Sequence, residues 1–157
     1  MEGIEVRWGL PENESRIAEL LELNGMPRWV AYEERFVVAE RGGEVLAGLR
    51  YRTETKRLLL GLLVVDPWMS EGPLARALYA GAWSLAREIG AREVLAVRLP
   101  YADYPYEVGY RRRGRGWRLD VAAGRPKLRE ELPASGWRRV VALLGMPAVP
   151  FFRVFMD

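Results

Sequence analysis

The residues of this chain best suited to chemistry lie where a buried strand gives way to a helix. Residues 57–65 are almost continuously apolar, which is typical of a strand buried on both faces. Val65-Asp66-Pro67 and a short Gly/Pro loop follow, and an amphipathic helix begins within residues 70–75 and ends at Gly90. The first N–H groups of a helix lack intrahelical partners, and the helix dipole is positive there. This turn therefore suits a phosphate or pyrophosphate bound by backbone amides, although most strand–loop–helix units bind nothing.

Two residue types that commonly carry catalysis are absent from the sequence, namely cysteine and histidine. Their absence excludes disulfides, thiolate chemistry, Ser–His and Cys–His pairs and the commonest metal ligands, so we predict no metal site. Proton transfer must therefore use a carboxylate, a tyrosine, a lysine or water.

Length, charge and hydropathy bound the class of protein. The 157 residues fit a single domain spanning 1–157, and 50% hydrophobic residues suffice for one substantial core. The formal net charge of +3 is mild and fits an anionic cofactor about as well as nucleic acid. The first residues are charged, and no apolar run approaches the roughly 20 residues that a membrane helix needs. We therefore expect a cytoplasmic protein with no membrane partner.

The elements alternate as they do in an α/β or α+β domain. Residues 4–8 predict a short strand, residues 12–23 a helix, and residues 93–99 a second apolar strand after the helix. Trp29 and Tyr32 lie in an ambiguous segment; they could line a substrate cleft, but large aromatic side chains are ordinarily buried, so we predict them in the core.

The order of these elements is similar to the core of the GNAT (Gcn5-related N-acetyltransferase) superfamily, over most of the chain. Residues 36–49 resemble the family's second and third strands joined by a tight hairpin, and Val65-Asp66-Pro67 resembles the end of its fourth strand. Residues 104–110 resemble its Phe-Tyr-Glu-x-x-Gly-Phe segment. The resemblance implies a mixed central sheet, flanked by helices and splayed between its fourth and fifth strands.

Acetyl-CoA is the co-substrate that the resemblance implies. Residues 70–75 stand where the family has Arg/Gln-x-x-Gly-x-Gly/Ala, a loop whose amides wrap the pyrophosphate of acetyl-CoA. Ser70 replaces the Arg or Gln, Pro73 replaces the central Gly and lacks an N–H, and Ala75 satisfies the last position. The pantetheine arm is expected to pair with the main chain of the fourth strand. The implied cofactor-binding residues are Leu63, Val64, Val65, Ser70, Glu71, Gly72, Pro73, Leu74 and Ala75.

The resemblance also implies the reaction, which is acetyl transfer to a primary amine of a small molecule or peptide. Many members protonate the departing thiolate with a Tyr four residues before the Gly of the aromatic segment. Pro105 occupies that place here, and of its two neighbours we choose Tyr106 as the acid. Because residues 57–65 contain no carboxylate, Glu54 is the predicted base, with Glu33 or Glu34 as alternatives. Packing explains Tyr106 equally well, and a solvated surface position explains each glutamate.

Two other functions stay open on the same residues. The first is a non-catalytic GNAT-fold protein that binds acyl-CoA or a partner, which the departures at Ser70, Pro73 and Pro105 favour. The second is nucleic-acid binding through residues 111–118, where five arginines flank a tryptophan. The mild net charge argues against nucleic acid and for an exposed strand with a solvated charged face. The same arginines could meet the 3′-phosphate of CoA or an acidic acceptor.

The C-terminal part resembles the family least. An insertion around residues 121–150 carries a predicted helix at residues 137–144, and residues 151–156 are apolar enough for an internal strand. The insertion could form a wall of the acceptor pocket, a purely structural addition or the contact surface of a homodimer.

Overall fold

A seven-stranded sheet organises residues 3–126, which are the residues that the computed structural model describes. The strands are β1 (Glu5–Trp8), β2 (Arg35–Arg41), β3 (Glu44–Glu54), β4 (Arg57–Val65), β5 (Glu93–Val97), β6 (Arg111–Arg113) and β7 (Gly116–Asp120). Their order across the sheet is β1-β2-β3-β4-β5-β7-β6. Neighbouring strands are antiparallel except β4 and β5, which are parallel and are joined through a helix, as a parallel connection requires.

Helices flank the sheet, as the sequence predicts. They are α1 (Glu14–Leu23), α2 (Val30–Glu33), α3 (Glu71–Glu88) and α4 (Tyr104–Glu107). The long helix α3 packs closely on β1, because a Cβ added at Gly81 would lie 2.6 Å from Cγ1 of Val6. The residue after α1, Asn24, is buried and donates from Nδ2 to the carbonyl oxygen of Val65 at 2.9 Å. Among the helices of residues 3–126, none has the length and apolar character needed to cross a membrane.

The sheet is splayed between β4 and β5, which confirms the prediction. Their ladder covers only the first part of β4, from Arg57 paired with Glu93 to Leu60 paired with Ala96. A β-bulge lies beyond it, since Leu49 of β3 pairs with Leu63 whereas Tyr51 pairs with Leu60. The extra β4 residue bends the strand at this point, and its C-terminal half runs on without β5.

Two local predictions were wrong. Residues 111–118 do not form one strand but a hairpin, in which Gly114 turns the chain with a φ of 56° and β7 lies inside the sheet.

Trp29 and Tyr32 do not lie in the core, since they are 61% and 56% exposed. The four-residue helix α2 presents Val30 and Ala31 inward instead, so its aromatic neighbours point outward. The predicted helix at 137–144 and strand at 151–156 lie outside the described residues.

Candidate functional site

A cleft of about 750 Å³ opens where β4 and β5 part. Its apolar lining includes Leu59, Leu95 and Val97, and its charged lining consists of Arg98, Arg113 and Arg115. Gly116 of β7 closes one side, and a Cβ there would lie 2.5 Å from the carbonyl oxygen of Ala96. Only glycine therefore permits this approach of β7 to β5. The volume is in the usual range for a site that holds a small molecule.

A charged cluster lies on β3 beside the bulge of β4. The guanidinium of Arg50 covers Gly61, since a Cβ added to that glycine would lie 3.1 Å from Nη2 of Arg50. Burial holds the pKa of the Arg50 guanidinium below its usual value, and the Glu34 carboxylate offsets part of this shift from 3.9 Å. Arg52 also approaches Glu34, at 3.1 Å. The bulge therefore has a cation above it and a carboxylate within reach of that cation.

The turn from β4 into α3 is held by Asp66. One oxygen of its carboxylate accepts a hydrogen bond from the backbone N–H of Trp68 at 2.9 Å, and the other pairs with Arg16 at 2.8 Å. Ser70 is extended, with φ −69° and ψ 121°, and α3 begins at the next residue. Pro73 is the third residue of the helix, so the first turn offers fewer backbone donors than an ordinary helix start.

Glu71 places a buried carboxylate in this first turn. It is 0% exposed, and its Oε2 accepts a hydrogen bond from the hydroxyl of Tyr104 on α4 at 2.9 Å. Burial and the nearby Glu71 charge raise the pKa of the Tyr104 hydroxyl well above its usual value, so it remains a donor. A negative charge is favourable at a helix N-terminus. The same charge opposes the binding of another anion at this helix start.

A second buried contact, an ion pair, joins α4 to α3. Arg76 of α3 and Glu107 of α4 are both buried, and their charged groups lie 3.4 Å apart. Burial raises the pKa of Glu107 to about 7, and the charge of Arg76 offsets only part of that effect. Together with the contact between Tyr104 and Glu71, this pair holds α4 against the first half of α3.

We expect the stability of the protein to fall as Glu107 ionises. Its folded pKa of about 7 lies above the ordinary value of 4.5, so between these values the folded state binds one more proton than the unfolded chain. The stabilisation is complete below about pH 4.5 and is lost as the pH rises toward 7. The melting temperature of wild type, measured relative to Glu107→Gln, should therefore decrease between pH 5 and pH 8. Glu33→Gln, which changes an exposed carboxyl, is the control; a difference independent of pH would contradict the assignment.

The structure separates the two tyrosines that flank Pro105. Tyr104 is buried against Glu71, whereas Tyr106 is 43% exposed, with its ring centroid 5.9 Å from that of Trp117. Trp117 lines the cleft between β4 and β5, so Tyr106 lies at the same end of the sheet. Of the two hydroxyls, that of Tyr106 is the accessible one.

The predicted carboxylates lie at different distances from the bulge of β4. Glu54 pairs with Arg57 at the start of the strand, four residues before Gly61, which is about 13 Å at the rise of a strand. Glu33 is exposed at the end of α2. Glu34 is the one that approaches Arg50 and hence the bulge.

Sequence reasoning missed two features of this site. It assigned Glu71 only a backbone role, although the side chain is buried against Tyr104. It also passed over Arg50, which lies on the bulge. A glutamate within the loop that was expected to bind a pyrophosphate was a signal for the first. The second had no local signal, because the contact depends on the register between β3 and β4.

Comparisons with known proteins bear on the fold. No protein-family model matches the sequence, and a search of curated proteins finds no match. Solved structures do match. A Desulfovibrio desulfuricans protein assigned to the GNAT acetyltransferase family is 20% identical, with a TM-score of 0.60, over 75% of this chain and 99% of that one.

Two further solved structures contain a cofactor. A GNAT-family N-acetyltransferase from Escherichia coli, in complex with CoA, is 17% identical with a TM-score of 0.59, over 76% of this chain and 82% of that one. A GNAT-family acetyltransferase from Brucella melitensis, in complex with acetyl-CoA, is 18% identical with a TM-score of 0.55, over 82% of this chain and 94% of that one. The chain therefore has the fold of the GNAT acetyltransferases, which confirms the predicted architecture.

Proposed function

We propose that this protein is an acetyl-CoA-dependent N-acetyltransferase that transfers the acetyl group to a primary amine. The observation that carries the proposal is the splay at the bulge of β4. Beyond Leu60 the ladder with β5 stops, while β4 continues for five residues toward the start of α3. An extended ligand chain can pair with such a strand edge in place of a neighbouring strand.

Acetyl-CoA would run from the start of α3 to the cleft. Its pyrophosphate would lie against residues 70–75, where Glu71, Gly72 and Leu74 have backbone N–H groups and Pro73 has none. Its pantetheine would pair with the main chain of Leu63–Val65. The complexes of similar structures with CoA and acetyl-CoA support this cofactor.

The chemistry would be direct attack of the amine on the thioester. The amine nitrogen bonds to the acetyl carbonyl carbon, a carboxylate takes its proton, and the C–S bond breaks. Tyr106 would give its hydroxyl proton to the thiolate. Of the three candidate carboxylates, position favours Glu34 over Glu54 and Glu33 as the base, because it approaches the bulge through Arg50. The products are an N-acetylated amine and CoA.

One observation favours a second function, a non-catalytic relative that has lost the cofactor. The carboxylate of Glu71 and the missing donor at Pro73 both lie where the pyrophosphate would bind. Both oppose an anion at that turn.

Binding of acetyl-CoA separates the two functions. We expect purified protein to bind acetyl-CoA in isothermal titration, to melt at a higher temperature with it, and to carry CoA in native mass spectrometry. Release of CoA thiol in the presence of mixed primary amines would then establish transfer. No heat and no thermal shift at millimolar acetyl-CoA would exclude the transferase and favour the non-catalytic relative.

A further inference from the structure

The cleft between β4 and β5 has an excess of positive charge. All of its charged lining residues are arginines, and no acidic side chain of residues 3–126 is among them. Glu93 lies nearby on β5, but its single carboxylate is shared by three guanidinium groups, those of Arg57 at 2.8 Å, Arg113 at 3.2 Å and Arg118 at 2.5 Å. The hydrogen bond from Arg118 lowers the pKa of Glu93, which therefore stays ionised. Its charge is already paired with these three arginines and does not neutralise the others in the cleft.

Two of the lining arginines have charges that no acid in the described part of the chain neutralises. Arg98 follows β5 and Arg115 lies in the turn between β6 and β7; both are exposed, and within residues 3–126 neither forms an ion pair. Arg113 is held partly by Glu93. The cations available to a ligand are thus Arg98 and Arg115, at the open end of the cleft.

Part of the apolar lining lies on one face of the sheet. Leu59 of β4 pairs directly with Leu95 of β5, so both point to the same side, opposite to the fully buried Leu58 and Val94. The next row toward the mouth runs from Val97 through Gly116 to Arg113. A ligand in the cleft would therefore contact apolar side chains in the interior and guanidinium groups at the mouth.

We propose that the acceptor amine is a small molecule with an apolar body and a carboxylate, which Arg98 and Arg115 bind at the mouth of this cleft. The inference rests on the proposed function, because it names the acceptor of that reaction. Guanidinium groups bind carboxylates by paired, charge-assisted hydrogen bonds. The cleft is large enough for a ligand the size of an amino acid.

The 3′-phosphate of CoA is a less suitable occupant. The pyrophosphate of CoA would bind at the start of α3, beyond the C-terminal end of β4. The cleft adjoins Leu59, near the N-terminal end of the same strand. Six residues of strand, about 20 Å, separate Leu59 from Val65.

Binding of matched ligands tests the proposal without requiring catalysis. The probes are N-acetyl-L-phenylalanine and N-acetyl-L-leucine, which resemble reaction products, and their neutral amides, titrated calorimetrically. We expect the acids to bind at least about 10-fold more tightly than the amides. The double variant R98Q/R115Q should lose about 10-fold in affinity for the acids and nothing for the amides. Both side chains are exposed, so the fold should be retained, which thermal unfolding checks.

Arg87→Gln, an arginine of α3 stacked over Trp83 and outside the cleft, is the matched control and should bind the acids as wild type does. Equal affinity for acids and amides, or unchanged affinity in R98Q/R115Q, would overturn the proposal. Weaker binding of CoA, but not of dephospho-CoA, in that variant would assign the arginines to the 3′-phosphate instead. If acetyl-CoA failed to bind while the acids still bound more tightly than their amides, the result would contradict the proposed transferase but not the carboxylate site of the cleft.

Discussion

Replacing Tyr106 by phenylalanine is expected to lower kcat for acetyl transfer by about 10²-fold, with little change in affinity for acetyl-CoA. The substitution keeps the ring, and with it the contact with Trp117, and removes only the proton donor. Without that donor CoA leaves as an unprotonated thiolate, so the step that breaks the C–S bond slows. Steady-state kinetics with separate titrations of acetyl-CoA and amine would measure the effect.

Tyr104→Phe is the matched control for this measurement. It removes a hydroxyl from the same helix, but one that donates to buried Glu71. We expect it to cost about 1–3 kcal/mol of unfolding free energy and to leave kcat largely unchanged. If Tyr106→Phe were as active as wild type, Tyr106 would be a packing residue, and another group or water would protonate the thiolate.

Removing the charge of Glu71 is expected to raise affinity for acetyl-CoA by about 10- to 100-fold. The carboxylate lies in the first turn of α3, where it would repel a pyrophosphate by an amount on the order of 1–3 kcal/mol. Glu71→Gln keeps the size of the side chain and an oxygen that can accept from Tyr104. Adding Pro73→Ala returns one backbone donor to the turn and should strengthen binding further.

Isothermal titration of the single and double variants would measure this gain. Glu88→Gln removes the same charge at the other end of α3 and should leave affinity unchanged. A Glu71→Gln variant that binds no more tightly than wild type would show that the pyrophosphate does not use this turn. Binding only in the double variant would identify wild type as a relative that has lost the cofactor.

Local patterns in the sequence predicted much of the fold. The apolar run of β4, the start of α3 within the loop and the strand after it are all encoded by residues close together in the chain, so periodicity and turn residues revealed them. The sequence did not predict the hairpin of β6 and β7, because charged residues dominate it and only Gly114 indicated the turn.

Much of the candidate site required the tertiary structure. The sequence by itself determined the apolar strand β4, the helix start that follows it and the absence of cysteine and histidine chemistry, and its family resemblance implied the mixed sheet. Tertiary structure decided that Glu71 is buried under Tyr104, which lies 33 residues away, and that Arg50 covers Gly61 through the register of β3 and β4. It also decided that Arg98 and Arg115 share one cleft. These contacts join residues distant in the chain, and their energies depend on burial and strand register, which no local pattern encodes.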